Sequence, residues 1–266
     1  MNKASKAWSE LQAMDELAAG NSLIHRLHPL VKLLVTIAYI AVVVSYSKYE
    51  LSGLVIVILY PVFMFQVSLI PVHTCFYKLR YILPLVMAVG IVNPFLDTTP
   101  MLYLGGVTIS GGVISMLTLM LKGIFSLMAS FILIATTTID ALCAALRKLH
   151  VPELIVTLLL LTYRYISVMI EQVSVMTDAY HLRAPKQKGI QFSAWGSFLG
   201  QLMLRSMDRA QELYQSMRLR GFHGEFYYAK VKHFTGSDAV FGILCLAFFL
   251  LSRYVDISRL LGNFFM

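Results

Sequence analysis

Residues 151–170 read VPELIVTLLLLTYRYISVMI, and the fold turns on whether this stretch crosses a bilayer. A spanning helix needs ~20 predominantly apolar residues. Here the uninterrupted apolar core runs only from Leu154 to Leu161, and Tyr163-Arg164-Tyr165 follows at once. A charge at mid-span costs about 2.5–3.5 kcal/mol on insertion scales unless it snorkels or is paired. The flanking charges give a second argument. Arg147 and Lys148 precede the stretch, while Arg183, Lys186, Lys188, Arg205, Arg209, Arg218, Arg220, Lys230 and Lys232 follow it. A crossing would put these two basic blocks on opposite sides of the membrane, against the tendency of Lys and Arg to stay cytoplasmic. The stretch therefore reads as a long amphipathic or buried helix in a cytoplasmic region covering 140–237.

Outward from that region the chain turns oily. Of 266 residues, 58% are apolar and only 14% charged, yet the formal charge is +8 and mean hydropathy is +0.72. Soluble domains carry about 25% charged residues, so an ordinary cytosolic enzyme is excluded, as is a disordered chain. Cys75, Cys143 and Cys245 are too few and too scattered for a disulfide scaffold. The expectation is an all-α polytopic membrane protein with about five spans: Val31–Tyr46, Leu51–Ile70 (interrupted by Pro61), Ile82–Leu96 (with Pro84 and Pro94), Val113–Thr137 and Ala239–Leu251. Residues 1–30 are polar, lack a signal-peptide pattern, and read as a retained cytoplasmic segment. Residues 31–139 then hold four spans, and 238–266 hold the last span and a tail. Lys78 and Arg80 fall on the cytoplasmic side. The loop Asp97–Gly112, free of Lys and Arg, falls outside, with its glycines at 105–106 and 111–112 as turns around a short hairpin. Arg253 and Arg259 sit awkwardly in an external tail.

Two helices are legible inside 140–237. Trp195, Leu199, Leu202, Met203, Ala210, Leu213, Tyr214 and Met217 recur at helical spacing opposite Arg205, Asp208, Arg209 and Glu212, and the helix stops at Gly221. The preceding helix starts near Pro152, carries a stripe through Leu158, Tyr165, Met169, Val173, Met176 and Tyr180, and ends near Ala184 because Pro185 cannot continue it. Each helix closes on a similar triplet, Leu182-Arg183-Ala184 and Leu219-Arg220-Gly221. One reading is that each Arg complements a helix dipole, a contribution of about 0.3–1 kcal/mol. The other is that two guanidinium forks between small residues dock into two similar acceptor grooves, on a partner with two similar halves.

The run Arg205-Ser206-Met207-Asp208-Arg209-Ala210, followed by Met217-Arg218-Leu219-Arg220-Gly221-Phe222, resembles the signature of the CbiQ/EcfT family. These are the transmembrane (T) components of energy-coupling-factor (ECF) transporters. Pro29-Leu30-Val31-Lys32 is similar to the family's Asp-Pro-Arg-x-Lys pattern, with His28 and Leu30 in place of Asp and Arg. Asn93-Pro94, Thr162-Tyr163-Arg164-Tyr165 and Trp195-Gly196 look most like the cobalt branch, CbiQ, which supplies cobalt for cobalamin biosynthesis. The resemblance implies a non-catalytic subunit of the cell membrane that joins two ABC-type ATPases to a substrate-binding membrane (S) subunit. The partner ATPases would hold ATP and Mg, and this chain no cofactor or metal. The coupling contacts would be Leu182, Arg183 and Ala184 on one ATPase and Leu219, Arg220 and Gly221 on the other.

Other signals carry less. No Gly-x-x-x-x-Gly-Lys-Ser/Thr loop is present. His73 and Cys75 form a lone His-x-Cys, and the remaining histidines lack metal-ligand spacing. The basic balance points to anionic lipid headgroups rather than nucleic acid, since no aromatic-basic interleaving accompanies it. Lys122 lies inside the fourth span, where its stem can snorkel or its charge can be paired; Asp208 is placed for local pairs with Arg205 and Arg209. The alternative function is an autonomous permease or intramembrane enzyme with its own substrate site. It calls for ionisable residues converging at mid-membrane or inverted repeats, and the sequence offers Lys122 and little else.

Overall fold

The computed structural model describes residues 3–80, 82–96, 100–104, 107–185, 187, 189–224 and 234–254. Lys186, Lys188, Lys230, Lys232, Arg259, Asp97 and Gly105-Gly106, all used in the sequence reading, lie outside these. The elements are α1 (Lys3–Ala18), α2 (Leu23–Arg26), α3 (Pro29–Ser45), α4 (Leu51–Val57), α5 (Leu59–Ser68), α6 (Val72–Leu79) and α7 (Leu83–Leu96). An antiparallel hairpin follows, β1 (Pro100–Leu104) and β2 (Val107–Ser110), then α8 (Gly111–Thr136), α9 (Ile139–Lys148), α10 (Glu153–Arg183), α11 (Phe192–Leu219) and α12 (Gly236–Tyr254). By contact the chain forms two units: Leu17–Thr138 with Lys232–Met266, and Met1–Glu16 with Ile139–Val231.

The first unit is the membrane bundle. Central α8 touches α3, α4, α5, α6 and α7, and α12 closes the bundle against α3 and α4. Outward residues such as Ile37, Val55, Phe63, Leu85, Val89 and Ile243 stay exposed and apolar, as lipid requires. Inside, Tyr39 is fully buried against Tyr60 and Phe249, with ring centroids 4.5 and 5.5 Å away. α7 lies so close to α8 that a Cβ on Gly123 would sit 2.6 Å from Val86 Cγ1. Small residues at such crossings let backbones approach.

The second expected span, Leu51–Ile70, is broken. α4 stops at Val57 and α5 begins at Leu59, across Ile58. Pro61 has no N–H to offer the carbonyl four residues back, and that carbonyl, on Val57, instead accepts a hydrogen bond from the Tyr39 hydroxyl at 3.2 Å. After α5, Leu69 takes a left-handed conformation (φ 57) and α6 leaves at 117° to the preceding helix. A second correction concerns Gly111-Gly112. They are not a turn but the buried first residues of α8, with Ser110 as the cap.

α8, α10 and α12 are each long and apolar enough to cross a bilayer, as is the broken α4–α5 with α6 if counted as one span; α3 and α7 are shorter apolar helices. α10 passes the same test as α8 and α12, so length and apolarity do not distinguish it from a span.

Candidate functional site

The second unit is built around α9, α10 and α11. α9 presents Cys143 to Val156 and Leu160 of α10, all fully or almost fully buried, with Ile139, Leu146 and Val151 around them. Burial, then the charge of Asp140, push the Cys143 thiol up to about 11. The Arg147–Glu153 pair at 2.7 Å spans the turn between α9 and α10. Two of the residues that interrupt α10 have partners: Arg164 reaches Asp140 at 3.2 Å, and the Tyr163 hydroxyl donates to Asp15 Oδ1 at 2.6 Å.

α10 has 31 residues and α11 has 28, lengths of about 46 and 42 Å. Arg205 of α11 donates to Gln172 Oε1 of α10 at 3.0 Å. Their connection is braced by Tyr180, whose hydroxyl donates to Gln187 Oε1 at 2.7 Å and accepts from the Gln191 N–H at 3.3 Å. The two apolar stripes line an open groove of about 450 Å³, with Leu158, Tyr165 and Met169 on one wall and Leu213, Tyr214 and Met217 on the other. No residue of α11 is buried. The local pairs expected around Asp208 take another form: Arg209 pairs with Glu212 at 3.1 Å, and Arg205 is engaged with Gln172.

Both triplets stand at helix tips, with different geometry. Arg183 is the last residue of α10, and Ala184 caps it with an N–H to Tyr180 O of 3.0 Å before Pro185. In the second triplet Arg220 is itself the cap, one step later, and Gly221 turns left-handed at φ +80. The Gly221 N–H then reaches Arg218 O and the Phe222 N–H reaches Met217 O, both at 3.0 Å. This is the two-bond Schellman closure that only a residue tolerant of positive φ permits cheaply. The helix stops thus fall where the sequence reading put them, at Pro185 for α10 and at left-handed Gly221 for α11. Arg183 and Arg220 are exposed, and the leucines beside them are nearly bare, Leu182 at 84% and Leu219 at 90%.

Elsewhere two further charges have partners. Lys122 is held by main-chain carbonyls. Its Nζ donates to Val44 O at 3.2 Å and to Tyr46 O, the last carbonyls of α3, where a cation is favoured by the helix dipole. Arg253 pairs with Glu50 at 3.6 Å and lies over the Tyr46 ring. His73 stacks on Tyr77, Cys75 is buried, and among the described residues no group of three or more His, Cys, Asp or Glu could hold a metal. Sequence reasoning passed over Asp238, whose carboxylate accepts from the N–H groups of Thr235 and His28, both at 2.9 Å. The Thr-x-x-Asp spacing at 235–238 is a capping-box signal that could have found it.

A multi-span apolar helical bundle, with two long helices that end in exposed Leu-Arg tips, defines an all-α polytopic membrane protein. The chain belongs to the CbiQ family: the family described as "Cobalt transport protein" matches residues 20–228. It is a transmembrane component of the cobalt and energy-coupling-factor transporter family. It is 26% identical to the energy-coupling factor transporter transmembrane protein EcfT of Leuconostoc gelidum over 76% of this chain and 81% of that protein. It is 31% identical to the nickel permease LarQ of Lactiplantibacillus plantarum over 34% of this chain and 33% of that protein. It is 32% identical to the cobalt transport protein CbiQ of Rhodobacter capsulatus over 35% and 38%. The aligned part thus spans about a third of the latter two.

Proposed function

We propose that this chain is the coupling subunit of an ATP-driven uptake transporter for cobalt ions, linking two ABC-type ATPases to a substrate-binding membrane subunit. The observation that carries the proposal is the pair of Leu-Arg-small tips, Leu182-Arg183-Ala184 and Leu219-Arg220-Gly221, exposed at the ends of two long helices. An exposed leucine beside an arginine fork offers one apolar contact and one set of directional donors, and the two tips match two acceptors of one kind. ATP and Mg belong to those acceptors, and closure of the ATPases displaces the tips.

The basic blocks around α9–α11 support a cytoplasmic position for this unit, with α10 along the membrane face and the N-terminus inside. Partnered Arg164 and Tyr163, midway along α10 with the Arg164–Asp140 pair exposed, support the same reading. The autonomous-permease alternative loses its main candidate, because Lys122 serves the end of α3. The substrate assignment follows the family description, while the LarQ relative makes nickel the competitor to test.

The test is co-purification. Arg183→Glu combined with Arg220→Glu is expected to strip the ATPases from the affinity-purified complex and abolish uptake of radioactive cobalt(II). ATPase recovery equal to wild type would refute the reading.

A further inference from the structure

The chain passes between the two units three times, at 16/17, 138/139 and 231/232. On the bundle side of every passage, a residue of the elbow His25–Lys32, which runs from α2 into the first turn of α3, contacts the chain. At the first, His25 Nε2 donates to Leu17 O at 2.9 Å, while the Ser22 hydroxyl donates to Nδ1 at 2.7 Å and fixes the ring. The ring fills the space so fully that a Cβ on Gly20 would lie 2.9 Å from Nε2. At the second, the buried Lys32 Nζ donates to Thr136 O at 2.6 Å, the last residue of α8. At the third, the His28 N–H donates to Asp238 Oδ1, and the other carboxylate oxygen takes the Thr235 N–H, both at 2.9 Å. His28, His25, Lys32 and Asp238 are all buried.

Local helix logic accounts for part of this. His28 Nδ1 accepts the Leu30 N–H at 3.1 Å and so caps α3, the task an Asp side chain performs at an N-cap. Lys32 places a cation at a helix C-terminus. Capping alone does not require that contacts to three different segments, two made by side chains of the elbow and one by the Asp238 carboxylate, meet on eight consecutive residues. Beyond the Lys32 contact, Thr137 leaves the helix in extended geometry and its buried hydroxyl has no partner.

We propose that the elbow His25–Lys32 is a three-way clamp, with Lys32 as its principal positioning residue, through which displacement of the α10–α11 pair is handed to the membrane bundle. This rests on the coupling function proposed above and names the residues that make it a single mechanical step.

The experiment uses the complete complex with its ATPases in liposomes, with radioactive cobalt(II) uptake and ATP hydrolysis measured in the same vesicles. A charge-assisted bond to a buried carbonyl is lost in Lys32→Met, and cobalt taken up per ATP hydrolysed is expected to fall about tenfold or more. ATP hydrolysis should stay within about twofold of wild type, and Lys32→Arg, which keeps a donor, should recover at least about half of the ratio. An unchanged ratio, or a parallel fall in uptake and hydrolysis, would overturn the clamp, since a merely structural role produces that result. Amide hydrogen exchange on the same chain in nanodiscs needs neither substrate nor ATPase and covers a failed wild-type assembly or uptake. Lys32→Met, or Asp238→Asn if Lys32→Met does not fold, should raise exchange together at 17–20, 134–139 and 235–238. A rise confined to the passage next to the substitution would refute the clamp. Absence of ATPases from the wild-type complex would instead refute the coupling function, and the exchange result would still decide the clamp.

Discussion

Gly221→Ala is the smallest change that interrogates an arginine tip without touching the arginine. Gly221 holds φ +80, and an L-residue with a Cβ pays about 1–2 kcal/mol for that left-handed state. Nothing lies within 4 Å of the added Cβ, so no clash adds to the cost and the whole effect is conformational. The two closing bonds, Gly221 N–H to Arg218 O and Phe222 N–H to Met217 O, exist only in the closed form. The substitution therefore shifts the balance between a closed and a frayed α11 end by about 5- to 30-fold toward fraying. Because Arg220 is the capping residue, fraying moves its guanidinium directly, and apparent ATPase affinity falls by up to that factor. The assay is titration of purified ATPase onto the chain in nanodiscs at fixed salt. Gly221→Asn should lose less, since Asn enters the left-handed region more readily. Ala184→Gly at the other tip, where φ is −133, should cost under about 1 kcal/mol. Binding by Gly221→Ala equal to wild type, or an Ala184→Gly loss as large as that of Gly221→Ala, would refute the reasoning.

Two further outcomes follow from the bundle and the small core. Lys122→Met leaves the carbonyls of Val44 and Tyr46 without their cation. With Lys122 partly exposed, a loss of about 1–2 kcal/mol lowers the thermal midpoint in detergent by about 2–8 °C, and an unchanged midpoint would show that the contact holds nothing. Cys143, its thiol pushed from 9.0 to about 11 by burial and then Asp140, carries about a hundredfold less thiolate at pH 8 than an ordinary thiol. Raising the pH toward 11 restores the thiolate, so maleimide labelling in the folded chain should be slow at pH 8 and rise with pH; labelling at pH 8 as fast as in denaturant would contradict the burial that sets the shift.

Much of the helical framework was legible because its signals are local. Pro185 and Gly221 mark the ends of α10 and α11 from composition alone, and the apolar runs locate α3, α8 and α12 to within a few residues. The pattern around Pro61 was legible only as tolerance. That Tyr39, eighteen residues before Val57, would supply the missing donor depends on how α3 lies against α4. The contacts of Lys32 with Thr136 and of His28 with Asp238 join residues 104 and 210 apart, and no periodicity encodes such a pairing. Lys32 was visible as the last residue of the family-like Pro29-Leu30-Val31-Lys32 pattern, without its partner. The tips were found as a sequence repeat with their two different stops, but not the one-residue offset that makes Arg183 the last residue of α10 and Arg220 the cap of α11. α10 shows where composition stops informing: its apolar length argues for a span and its neighbouring charges against one, and only the side of the membrane decides.

That side is also the most direct test of the coupling claim. Leu182→Cys and Leu219→Cys, each in a background with Cys75, Cys143 and Cys245 replaced, can be probed with a membrane-impermeant maleimide in right-side-out and inside-out vesicles. Coupling to cytoplasmic ATPases predicts that both positions label only in inside-out vesicles and that added ATPase protects them. Labelling of either tip in right-side-out vesicles would contradict the account.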